Sequence, residues 1–143
     1  MGFFLKDINL KGKTALITGA TKGIGRGAAQ AIAEAGGNII AIGRNQSELN
    51  SLAKVIKKLK VKYTSFNCDV NDYNRMKEFI TKLKKLDILV NNAGTNIPES
   101  FLNVKRSSIE TILNVNTKAV FNVAQLCANQ IIKLKRKEGS IIN

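Results

Sequence analysis

KTALITGATKGIG, residues Lys13 to Gly25, decides the fold. Lys13 to Thr18 is a short apolar run of the kind that makes a strand buried on both faces. Glycines then crowd a turn. The segment GIGRGAAQAIAEAG after it reads as a helix with Ile24, Ala28, Ala31, Ile32 and Ala35 on one face, ending at Gly36-Gly37. At such a junction the free amides and positive dipole of the helix N-terminus accept an anion, and glycine lets the backbone approach it without a Cβ in the way. The spacing of Gly19, Gly23 and Gly25 is G-x-x-x-G-x-G, not the G-x-G-x-x-G of the general dinucleotide fingerprint. Glycines alone are a weak signal; a strand before them and a helix after them make it strong.

Outward from this stretch the pattern repeats. NIIAIG (Asn38 to Gly43) is a second buried strand, followed by a lysine-rich helix from about Ser47. VKYTSFN is a third strand, with a helix from about Asp72 to Leu83, and DILVNNAG is a fourth. After a loop holding the only proline, Pro98, one long helix is expected from about Ser107 to Lys135, with Ile112, Leu113, Val120, Val123, Ala124, Cys127 and Ile131 facing inward. SIIN opens a fifth strand. Apolar strands that alternate with amphipathic helices predict an α/β fold, a doubly wound, Rossmann-like parallel sheet with ligands at the carboxyl ends of the strands. No repeat or linker divides residues 1–143, which read as one dinucleotide-binding domain.

Composition narrows the function. A hydrophobic fraction of 44% excludes a disordered chain, and no apolar run reaches membrane-span length. The start, MGFFLKDINL, is too short in apolar residues for a signal peptide, and Gly2 lacks the Ser or Thr that myristoylation wants where Lys6 stands. The expectation is a cytoplasmic protein with no membrane partner. The absence of histidine removes Ser-His-Asp and Cys-His mechanisms, and Cys68 and Cys127 read as buried small hydrophobes. The net charge of +13 points first at nucleic acid or anionic lipid. In SELNSLAKVIKKLK, however, Leu49, Leu52, Val55, Ile56 and Leu59 form a helical stripe, and in KEFITKLKKL so do Phe79, Ile80 and Leu83. The lysines take the remaining arcs, so solvated helix faces account for most of the charge and no nucleic-acid partner is expected.

Four motifs in order carry a resemblance: T-G-x-x-x-G-I-G at Thr18 to Gly25, CDV at Cys68 to Val70, NNAG at Asn91 to Gly94, and Asn116 between Val115 and Val120. From about Leu10 to Asn143 the chain resembles the short-chain dehydrogenase/reductases. The resemblance implies that Gly19, Gly23 and Gly25 cradle the cofactor's phosphates, with Thr21, Lys22 and Ile24 in the same turn. It implies that Asp69 and Val70 hold the adenine, and that Asn91, Ala93 and Gly94 line the nucleotide pocket, Asn91 also tying strands together. It further implies for Asn116 the catalytic role of positioning a water in the proton relay. Met alone, Asn91 would read as a strand-end turn residue and Asn116 as a helix-kink residue. A carboxylate at the end of the second strand would bond the ribose of NAD and repel a 2′-phosphate; that position is Gly43, and Arg44 follows. With Lys22 as a second cation, NADP(H) is favoured over NAD(H).

The family's serine and its tyrosine/lysine pair follow the fifth strand, and the sequence stops at Asn143 before them. YNRMK (Tyr73 to Lys77) satisfies Y-x-x-x-K as a string but lies on the adenine side of the sheet, and Tyr63 has no partner lysine. The resemblance therefore implies the amino-terminal portion of an oxidoreductase that moves a hydride between NADP(H) and a small carbonyl or secondary alcohol. The whole enzyme is expected to be a homodimer or homotetramer, and these residues alone to be inactive. A non-catalytic NADP(H)-binding module and a basic nucleic-acid-binding protein are the other readings.

Overall fold

Continuous apolar runs pair side by side because each must bury both faces. In the computed structural model, which describes residues 8–143, five strands form one sheet in the order β3-β2-β1-β4-β5. They are β1 (Thr14–Thr18), β2 (Asn38–Gly43), β3 (Tyr63–Asn67), β4 (Ile88–Val90) and β5 (Ser140–Ile142), and every pairing is parallel. The helices between them are α1 (Gly23–Glu34), α2 (Gln46–Lys57), α3 (Tyr73–Thr81), α4 (Arg106–Leu113) and α5 (Val120–Lys133). The chain steps outward from β1 to β3 and then crosses back to β4 on the other side of β1. That reversal opens a crevice at the carboxyl ends of β1 and β4, where open α/β sheets bind ligands. The expected doubly wound, Rossmann-like sheet is the observed fold. Readings that fell on Gly2 and Lys6 lie outside the described residues.

The period of two in β1 sorts its side chains to two cores. Ala15 and Ile17 join Ala29, Ala33, Leu49 and Leu52 under α1 and α2. Leu16 joins Met76, Ile80, Leu89, Val123 and Cys127 under α3 and α5. The lysine-rich α2 buries Leu49, Leu52 and Ile56 as its stripe requires, and Asn45 caps it by accepting from the Glu48 amide. Asp72 caps α3 in the same way through Arg75 N–H.

Two expectations are corrected. The buried face of α1 is Gly25, Ala29 and Ala33, one position round from the expected stripe, and Ile24 is 85% exposed. Packing of Gly25 against the glycine turn, described below, sets the rotation of this helix, and apolar spacing does not. The single long helix is two α-helices joined by a π turn, Asn114–Ala119. The wider turn shifts the downstream stripe relative to the upstream one. Ala119, Val123, Leu126, Cys127 and Ile131 are buried as a result, whereas Leu113 is exposed. Among the described residues no helix is long and apolar enough to cross a membrane.

Candidate functional site

The turn after β1 is built from close backbone approaches. Gly19 and Gly23 sit at φ +61° and +50°, in the left-handed region that β-carbons resist. A Cβ on Gly25 would come within 2.3 Å of the Gly19 carbonyl oxygen and of Asn92 Nδ2. The first turn of α1 therefore lies directly on the glycine turn. Lys22 occupies the N-cap position with no side-chain hydrogen bond to the amides that follow, unlike the capped α2 and α3. Those amides are left for an anion.

The end of β4 is fastened to this turn. Thr18 Oγ1 accepts from the backbone amides of Asn92 (3.1 Å) and Ala93 (3.0 Å). Asn92 Nδ2 donates back to the carbonyls of Thr18 (3.1 Å) and Gly19 (3.2 Å). This reciprocal lock satisfies backbone groups that no strand pairing reaches. Neither Thr18 nor Asn92 was among the expected site residues. The available signal was a polar pair at the ends of two adjacent buried strands.

Between these walls lies a cavity of about 480 Å³. Gly19, Thr21, Lys22 and Gly23 form one side, Gly43 and Arg44 the end of β2, Asp69 and Val70 the end of β3, and Ala93 and Gly94 the end of β4. Nine of the expected site residues are thus brought together: Gly19, Thr21, Lys22, Gly23, Arg44, Asp69, Val70, Ala93 and Gly94. Gly43 admits Thr21 so closely that a Cβ there would lie 2.7 Å from its methyl group. Cys68 also lines the cavity, but burial pushes its thiol pKa up, and the Sγ–H donates to the Asp69 carbonyl at 3.2 Å. Cys127 is deep in the core, its thiol pushed up to about 12 by burial. Neither is a poised nucleophile.

Both cations at the cavity have carboxylate partners. Lys22 Nζ lies 2.7 Å from Glu48 Oε1, and its hydrogen bond holds the Glu48 carboxyl below the usual carboxylate range. Arg44 Nη1 lies 3.8 Å from Asp69 Oδ2. The exposed Arg44–Asp69 pair is long and open to water, and a phosphate offering several oxygens can displace it.

The remaining expected residues stand outside the lining. Gly25 is behind the turn, and Ile24 is at the exposed start of α1. Asn91 Nδ2 donates to the Val120 carbonyl (3.0 Å) and to Asn143 Oδ1 (3.1 Å), while its amide donates to the Ile142 carbonyl (2.8 Å). Asn91 therefore ties β4 to β5 and α5 and does not face the cavity. Asn116, inside the π turn, reaches the loop after β4. Its Oδ1 accepts from the Thr95 amide at 2.8 Å and its Nδ2 donates to the Thr95 carbonyl at 2.9 Å, as a neighbouring strand would. Tyr73 and Lys77 are both exposed on α3 and away from the cavity, and the Tyr63 hydroxyl donates to the Leu49 carbonyl at 2.8 Å.

Known proteins resemble this chain in sequence and in fold. The family model for short chain dehydrogenase matches residues 13–143. The chain is 35% identical over 140 residues to 3-oxoacyl-(acyl-carrier-protein) reductase FabG of Thermotoga maritima, covering 95% of this chain and 56% of that protein. It is 36% identical over 146 residues to 2-dehydro-3-deoxy-D-gluconate 5-dehydrogenase of Bacillus subtilis, covering 100% of this chain and 56% of that one. A short-chain type dehydrogenase/reductase from Mycobacterium marinum superposes with a TM-score of 0.88 at 31% identity, over 99% of this chain and 58% of its own. Carveol dehydrogenase from Mycobacterium avium, solved in complex with NAD, gives 0.83 at 26% identity, over 93% and 54%. The chain spans about half the length of the curated relatives it matches.

Proposed function

The chain belongs to the short-chain dehydrogenase family, and on that premise we propose that its cavity holds NADP(H) for an oxidoreductase acting on a small carbonyl or secondary alcohol. The observation that carries this reading is the cradle itself. An uncapped helix N-terminus and a turn that admits no Cβ at Gly25 line up with a β2 end that offers Gly43 and Arg44 where NAD-type sites place a carboxylate. These residues fit a dinucleotide. When bound, the nicotinamide supplies or accepts the hydride. The chain's own part is to bind and orient: amides at Gly23 and beyond take the pyrophosphate, Asp69 and Val70 border the adenine end, and Lys22 and Arg44 take the 2′-phosphate. Asn116 holds the Thr95 loop at the far end and is the residue assigned to the proton relay.

No serine or tyrosine lines the cavity. In the enzyme reading, proton transfer is supplied by residues that the family resemblance puts after β5, and the enzyme is cytoplasmic and dimeric or tetrameric. Exposed Ile109, Leu113 and Phe121 on α4 and α5 favour such an assembly. The lining is equally that of a binding module without turnover, and one experiment addresses both readings. NADPH and NADH are titrated against the chain by nicotinamide fluorescence, and NADPH oxidation is then followed with a panel of diketones and keto acids. The expected result is tighter binding of NADPH and no turnover. Equal affinity for both cofactors overturns the NADP(H) reading, and turnover by the chain alone overturns the assignment of proton transfer elsewhere.

A further inference from the structure

The other end of the sheet carries the charge. In a parallel α/β fold every helix-to-strand connection arrives at the amino ends of the strands. Here those connections, with the helix ends that feed them, are residues 34–37, 57–62, 82–87 and 133–139, and residues 10–13 lead into β1 at the same end; these are the five segments of the face. They contain thirteen of the chain's 23 Lys and Arg, against three carboxylates, Glu34, Asp87 and Glu138. Backbone bonds align them in a row: Ile39 N–H donates to the Lys62 carbonyl, Asn38 N–H to that of Lys13, and Asp87 N–H to that of Thr14. Asp87 is buried and engaged by Arg136, Glu138 lies 3.5 Å from Lys13, and Lys82 meets Glu78. The other ten cations have no carboxylate partner among the described residues, and all are exposed. Helix dipoles favour cations at helix C-termini, which accounts for Lys57 and Lys133. They do not account for Lys11 and Lys62, which lead into strands.

From this placement we propose that the amino end of the sheet is a docking face for the phosphodiester backbone of a nucleic-acid duplex. The face crosses five strands, about 19 Å at the usual strand spacing, and a duplex presents a phosphate charge every ~1.7 Å along its axis. Twelve of its thirteen cations are lysines, point charges suited to backbone neutralisation and not to bidentate base reading. Among the described residues the exposed aromatic side chains, Tyr73, Phe101 and Phe121, lie elsewhere, so these residues give this face no platform for stacking unpaired bases. Binding is therefore indifferent to sequence and strongly salt-dependent. The proposal is independent of the cofactor reading, because it concerns the opposite end of the sheet.

The test uses the full chain and two dye-labelled 20-base-pair DNA duplexes of unrelated sequence, followed by fluorescence polarisation across a KCl series. Similar affinity for both is expected, with log K falling against log salt at a slope of about −3 to −5. The variant Lys57→Glu/Lys58→Glu/Lys84→Glu/Lys85→Glu should bind at least about tenfold more weakly at 50 mM KCl, for the loss of several phosphate contacts. The control Lys54→Glu/Lys77→Glu/Arg106→Glu/Lys118→Glu, of equal net charge, should lose less than about threefold. Equal losses would mean that overall charge and not this face binds, and would overturn the proposal. So would no binding at 50 mM KCl, or capture by phosphatidylserine vesicles at a salt concentration that abolishes duplex binding. Acetylation footprinting of the unaltered chain, read by mass spectrometry, guards against misfolded variants. Duplex should protect lysines of residues 57–62 and 82–85, and protection confined to other lysines overturns the assignment.

Discussion

The two ends of the sheet solve opposite problems with the same backbone. At the carboxyl end the chain approaches itself so closely that glycine is required, cations are balanced by Glu48 and Asp69, and a cavity is left between the walls. At the amino end the connections are lysine-rich and also turn through left-handed glycines, Gly12 and Gly36, but few of their cations are balanced. The difference teaches where shape is demanding: a turn packed backbone against backbone tolerates little, whereas a solvated charged face tolerates single changes and responds only to several.

Asp87 is the exception that could break this contrast. It is a buried carboxylate at the forgiving end, bonded by the Thr14 amide at 2.8 Å and by Arg136 Nε at 2.8 Å, and it joins the starts of β1, β4 and β5. Asp87→Ala should destabilise the chain by about 3–5 kcal/mol in urea unfolding, since it leaves a partly buried guanidinium and an amide unpaired. Removing Arg136 as well should recover part of the loss; additive losses would show that the pair is not coupled. Next in size, Gly25→Ala should cost about 1–3 kcal/mol, because its Cβ meets a backbone carbonyl that cannot swing away. A single Lys58→Ala at the other end should stay within about 0.5 kcal/mol. Indistinguishable urea midpoints for those two variants would erase the contrast.

Arg44→Asp should sharpen it. Facing a 2′-phosphate with a carboxylate should weaken NADPH by about 2 kcal/mol relative to NADH, as read from paired titrations, while duplex binding at the far end is untouched. Loss shared equally by both cofactors would show that Arg44 reads no phosphate. The smallest expected effect is at the misleading Y-x-x-x-K string. Tyr73→Phe should change neither cofactor affinity nor the thermal midpoint, because Tyr73 is exposed on α3 and away from the cavity. A tenfold drop in cofactor affinity with the fold intact would return Tyr73 to the site.

Much of this was legible in the sequence because it is local. Strand and helix periods, the Asn45 and Asp72 caps and the glycine spacing each depend on residues within one or two turns of one another. They were enough to determine the alternating α/β pattern, the parallel sheet and the end at which the cavity lies. Motif order added the residues that line the cavity.

Tertiary structure alone decided the rest. Periodicity put Ile24 on the inner face of α1, but the contact of Gly25 with Gly19 and Asn92 turned it outward. An uninterrupted apolar pattern hid the π turn that Asn116 uses to hold Thr95. Lys22 met Glu48, and Thr18 met Asn92, across separations of tens of residues. The lysines, which looked like solvated helix faces one segment at a time, gathered at one end only when parallel pairing aligned the starts of five strands. The physical reason is common to all four cases: a period reports which side of its own element a residue occupies. What stands opposite that side is set by strand order and close packing, which no single segment contains.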